Sequence, residues 1–283
     1  MKTLVETPVK QSPAALKTAH SDAKPPLPRE HGAWAVLLVP FATAVGISGQ
    51  FTLPVGLLLI SVLCFFVARA SLLRAIAAGF RPRPGGALSA TDTTGNARWA
   101  LVLLLLSAAA ATPLVLVWDR WWLLAFGALA APLAFQKTER ALPMQLLAMT
   151  GLTLTAPAAW YVATGRLDAW AWGLWLLNSL FFAGAFFYVK MHLAAAIRRT
   201  TAGVTTGTVT YHIALVAALT ALVLVGQLPW AVALVFAPAV VRAAVGAWRL
   251  SPKLQIKRLA WAEVGYSLAF GLGLIATARW TMR

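Results

Sequence analysis

Acidic side chains are scarce in this chain. Eight aspartates and glutamates stand against 24 lysines and arginines in 283 residues, and charged residues of both signs make up only 11% of the total. Mean hydropathy is +0.75, well above that of an ordinary soluble domain, which excludes a water-soluble globular fold. A single cysteine, Cys64, excludes an intrachain disulfide and a thiolate metal site. The sequence has no His-x-x-x-His and no Glu-x-x-His, so zinc chemistry lacks its usual ligand spacing and no metal site is expected. Dyad alternation of polar and apolar residues is missing as well, which disfavours a barrel and favours an all-α bundle.

What the chain has in quantity is apolar length. Runs such as "FTLPVGLLLISVLCFFVARA" (51–70) and "WALVLLLLSAAAATPLVLVW" (99–118) suffice to cross a hydrocarbon core of roughly 30 Å. Hydropathy predicts a polytopic bundle of about nine helices, near 33–48, 51–70, 99–117, 121–136, 142–164, 168–190, 209–227, 229–248 and 258–279. Residues 1–28, with four lysines and five prolines, read as a flexible basic tail, and residues 29–283 as the bundle. The first apolar run leads within three residues into a second, so it reads as a retained helix rather than a cleaved leader.

Charge supports this count. With nine spans and the tail inside, 20 of the 24 basic residues fall on the inside, leaving Arg120, Arg166, Arg279 and Arg283 outside. The expected location is a bacterial inner membrane, with the amino terminus cytoplasmic and the carboxyl terminus outside. The net charge of +16 is thereby distributed over membrane-flanking loops, which argues against nucleic acid as a partner and leaves the lipid bilayer.

Most connections are very short, and two inside ones are long: 69–98, breaking at "RPRPGG" (81–86), and 190–212, breaking into a Thr/Gly stretch. Both carry cations at helical spacing, Arg74 with Arg81, Lys190 with Arg198 and His192 with Arg199. Snorkelling accounts for such cations equally well.

The layout resembles the UbiA-type membrane prenyltransferases, nine-helix bundles with long cytoplasmic connections after the second and sixth helices; "RPRPGG" is similar to a proline–glycine stretch that follows their first aspartate motif. That resemblance implies a UbiA-like bundle. It does not carry over the chemistry, because no acidic residue lies between Glu30 and Asp92 or between Asp168 and Glu263, where the aspartates that hold Mg²⁺ and diphosphate would stand. Magnesium-dependent prenyl transfer is therefore not expected, and no cofactor is implied. The stretch "PREHGAWAVLLVP" (28–40) resembles more closely the start of the YwiC-like family of bacterial membrane proteins. This second resemblance implies an architecture and no reaction.

Ionisable residues within or beside spans are costly in lipid and are functional candidates for that reason. His31 and Glu263 are the candidate acid–base residues. Arg29, Glu30, His31, Arg74, Arg81, Lys190, His192, Arg198, Arg199 and His212 are candidate ligand-binding residues around one cytoplasmic-facing pocket for an anionic, amphipathic or lipid-linked small molecule. A salt bridge from Lys190 or an arginine is expected to offset the burial of Glu263. A transporter and a non-catalytic scaffold stay open as further readings.

Overall fold

The computed structural model describes residues 31–80, 90–135, 141–197, 201–250 and 255–282. Within them the chain is helical throughout: α1 (His31–Ser48), α2 (Leu53–Phe80), α3 (Ala90–Leu116), α4 (Trp122–Phe135), α5 (Leu142–Leu152), α6 (Thr155–Thr164), α7 (Ala169–Ala196), α8 (Ala202–Leu224), α9 (Trp230–Leu234), α10 (Ala237–Trp248) and α11 (Ile256–Thr281). By length and composition seven segments can cross a membrane, with α5 joined to α6 in one and α9 to α10 in another, and two shorter apolar helices accompany them. This matches the nine expected spans and makes the protein a multi-pass membrane protein. Lipid provides no partner for backbone polar groups, so helices are the form these runs must take.

Two spans are broken, and proline accounts for both breaks. Pro157 and Pro238 lack the N–H that would bond to the carbonyls of Thr153 and Leu234, and the helices part at those points. Pro113 and Pro132 lie inside the continuous α3 and α4.

A second difference concerns the Thr/Gly stretch. It is helical from Ala202 onward, so the connection after α7 is much shorter than 190–212 suggests. Thr and Gly are poor helix formers in water, but a segment within lipid must bond its own backbone, and Thr208 bonds back to the carbonyl of Val204 at 2.8 Å. After α2, by contrast, the helix runs on to Phe80 as the sequence suggests; "RPRPGG" itself lies outside the described residues.

Helix α1 is the centre of the packing, set against α6, α7 and α11. Phe181, Phe236 and Phe270 fill the core between α7, the α9–α10 break and α11, with Phe181 and Phe270 stacked at 4.0 Å. Polar residues inside the spans bridge helices, as such residues do in lipid. Asn178 donates to Thr43 at 3.2 Å, Thr153 pairs with Ser179 at 2.7 Å, and Thr155 donates to the carbonyl of Leu37 at 2.9 Å. The outer surface is apolar, with Leu105, Leu124, Ile213 and Leu272 exposed, and Trp121, Trp230, Trp261 and Trp280 stand near span ends.

Candidate functional site

Three helices bring ionisable side chains together at one end of the bundle. Helix α7 presents Tyr188 and His192 one turn apart, α10 presents Arg242 and Gly246 one turn apart, and α11 presents Glu263 and Tyr266. Gly246 sets the distance between α10 and α7. A Cβ at this position would lie 2.6 Å from the Tyr188 ring and 2.9 Å from that of His192, so only glycine permits the approach.

That approach brings Arg242 into a sandwich. Its guanidinium carbon sits 4.3 Å from the centre of the Tyr188 ring and 4.4 Å from that of Tyr266, and Nη1 donates to Oε1 of Glu263 at 2.5 Å. The side chains of the pair are 6% and 12% exposed, so a full charge pair is buried between α10 and α11. It is incompletely satisfied: Nε and Nη2 of Arg242 and Oε2 of Glu263 are buried with no hydrogen-bond partner. Buried polar atoms without partners are uncommon, and in a low-dielectric interior they carry a cost that calls for an explanation.

Beside the pair opens a crevice of about 680 Å³, lined by Tyr188, His192, Pro238, Arg242, Arg249 and Tyr266 among others. That volume is in the range of small-molecule sites. Its α10 edge is formed by Val241 and Val245, both exposed on the lipid-facing surface, so the crevice is open from the side of the bundle. His192 Nδ1 lies 3.1 Å from the carbonyl of Tyr188, which fixes the ring on the crevice wall.

Of the sequence candidates, His192 lines the crevice, and Glu263 joins the site only through its pair with Arg242. His212 does not line it: its Nδ1 faces the Thr208 carbonyl at 2.8 Å and its ring packs on Gly184 of α7. Lys190 lies over the Phe186 ring at 4.9 Å and is not part of the crevice lining, and the partner of Glu263 is Arg242 instead. Arg74 is exposed at the far end of α2 and joins no part of this cluster. Arg29, Glu30, Arg81, Arg198 and Arg199 lie outside the described residues, as does the side chain of His31, which opens α1. Among the described residues no three His, Cys, Asp or Glu side chains gather to hold a metal ion.

Sequence reasoning missed Arg242, Tyr188 and Tyr266. Arg242 counts toward the inside charge, yet it falls well within the apolar run 229–248, and a lone arginine there was the available signal.

A family model described as YwiC-like protein matches residues 27–160. The uncharacterized protein YwiC of Bacillus subtilis (strain 168) is 28% identical over 171 residues, covering 58% of this chain. The match spans 65% of the length of that relative. These matches support the YwiC-like assignment and do not extend to UbiA-type prenyltransferases. No solved structure matches the chain.

Proposed function

For a chain that is YwiC-like over residues 27–160, we propose that the crevice beside Arg242 binds an anionic or amphipathic small molecule on Nε and Nη2 of its guanidinium, with Glu263 as the internal counterion on Nη1 that competes with the ligand for the charge. The observation that carries this reading is the unsatisfied pair. Two donors of Arg242 and one acceptor of Glu263 lack partners, and a bidentate anion on the guanidinium would supply the missing acceptors. Val241 and Val245 at the lip suit an apolar portion of the ligand, and Arg249 stands beside the same opening as a second cation. The lysine and arginine bias supports a reading in which this end of the bundle lies on the cytoplasmic side of a bacterial plasma membrane, with the amino terminus inside and the carboxyl terminus outside. In an enzyme built on this site, Glu263 and His192 are the groups in position to move a proton.

A transport reading draws on the two proline-broken spans. Broken helices beside a cavity are common in secondary transporters, and Ala237 and Pro238 at the second break line the crevice. The two readings share the ligand and differ in whether it crosses the membrane. Mass spectrometry of purified protein is expected to recover an anionic small molecule from the wild type and to lose it, per folded protein, from Arg242→Gln. Equal recovery from both proteins removes the proposal. Flux of the same molecule in proteoliposomes would assign transport.

A further inference from the structure

We infer that the amino-terminal half contains a second, separate ligand site: an apolar chamber that takes the hydrocarbon chain of an anionic amphiphile, with its head group at Arg69. The chamber has about 420 Å³ between α1, α2, α3, α4, α5 and α6 and opens to the surface where Ala108 and Gly127 are exposed. All its lining residues fall between Leu37 and Ala158, inside the YwiC-like match, whereas the crevice draws on residues 188–266. The two sites share no residue.

The walls select the occupant by what they offer. Apart from Arg69, the polar side chains of the lining are Ser61, Ser107 and Thr155, and each donates within the bundle. Ser107 Oγ donates to the Ser61 carbonyl at 2.8 Å, Ser61 Oγ to the Ser107 carbonyl at 3.0 Å, and Thr155 Oγ1 to the Leu37 carbonyl at 2.9 Å. No wall hydroxyl has a proton left for a ligand, so a polar solute would lose its hydration without compensation. Close-packed interiors hold few voids larger than a water molecule, and an apolar void of this size is suited to an apolar guest.

Length and charge narrow the guest further. From Leu58 to Arg69 the chamber follows eleven residues of α2, about 16 Å at 1.5 Å per residue. That is roughly half of a hydrocarbon core about 30 Å thick, the depth of one leaflet. Arg69 is the lone ionisable residue of the lining and stands at the end of α2 that leads out of the span toward Arg74. It already interacts with a neighbour; a guanidinium has five donors, so an added anionic oxygen is compatible with that contact. The break between α5 and α6 lies on the same wall, through Leu152, Leu154 and Thr155, which fits the rule that irregular backbone at membrane depth borders a cavity.

The test uses the full chain in phosphatidylcholine nanodiscs and a fluorescent polyene fatty acid, with its methyl ester as the uncharged comparison. The acid is expected to bind saturably, with one equivalent per protein lost in the chamber variants. Gly127→Phe fills the chamber from a position where an added Cβ meets no atom within 4 Å, and is expected to weaken binding at least about tenfold, near 1.4 kcal/mol. Ala158→Phe, at a buried wall position, should act in the same direction, with Gly127→Phe deciding if that variant fails to fold. Arg69→Gln should reduce that equivalent of the acid to the level of the ester and leave the ester unchanged. Competition by phosphatidylglycerol nanodiscs identifies the source of the chain as a bilayer lipid, and its lack a free amphiphile; both uphold the site. Unsaturable partitioning, indifference to Gly127→Phe, or equal binding of acid and ester would overturn it.

Discussion

Arg242→Met is expected to destabilise the protein by about 3–5 kcal/mol in detergent or nanodiscs, read as a lowered denaturation midpoint, while Arg242→Met combined with Glu263→Leu recovers most of the loss. The asymmetry follows from burial. Removing the guanidinium leaves a carboxylate that is 12% exposed in the pair, with no cation to offset its desolvation. Removing both charges leaves a crevice wall of apolar character between α10 and α11, which costs little where lipid and protein are the only solvents. A double variant as unstable as the sum of the single ones would mean that the pair is itself a net source of stability, and the site would then be structural cement.

The second large effect is expected at Gly246. Gly246→Leu should cost about 1–3 kcal/mol or more through overpacking, because the very first added atom already lies 2.6 Å from the Tyr188 ring and 2.9 Å from the His192 ring. Those rings cannot retreat freely. Tyr188 is stacked on Arg242 and His192 is tied to the carbonyl one turn before it. The expected consequence is separation of α10 from α7 and loss of the guanidinium sandwich, so ligand recovery should fall along with stability. Gly207→Ala on α8, where an added Cβ meets nothing within 4 Å, is the matched comparison and should leave both unchanged or raise stability slightly. Similar denaturation midpoints for Gly246→Leu and Gly207→Ala would contradict the packing argument.

The architecture was legible because lipid allows so little choice. Apolar runs of sufficient length have to be helices, and the distribution of lysine and arginine fixes how many of them alternate. The same constraint explains the error at 202–210, where Thr and Gly were read by their behaviour in water and not by their need for internal hydrogen bonds. The site was half legible. Glu263 and His192 announced themselves as ionisable residues in or beside spans, and an arginine partner for Glu263 was foreseen. Arg242 counts toward the inside charge although it lies within the apolar run 229–248, and a lone arginine there has the same sequence signature whether it snorkels outward or is buried. Its burial is decided by the tertiary approach of α10 to α7 through Gly246, which leaves no local pattern. The chamber was invisible for a related reason. It is formed by small residues such as Ala108, Ala130 and Ala148 on separate helices, and nothing in one stretch of sequence records that their vacant volumes coincide.

Glu263 and an anionic ligand on Nε and Nη2 compete for the charge of Arg242, and the dissociation constant of the recovered anion in the two neutralised variants tests this most directly. Arg242→Gln should abolish binding, and Glu263→Gln, which removes the competing carboxylate while keeping its size, should tighten it by about tenfold, near 1.4 kcal/mol. Weakened binding in Glu263→Gln comparable to that in Arg242→Gln would contradict this competition and make the carboxylate part of the binding surface.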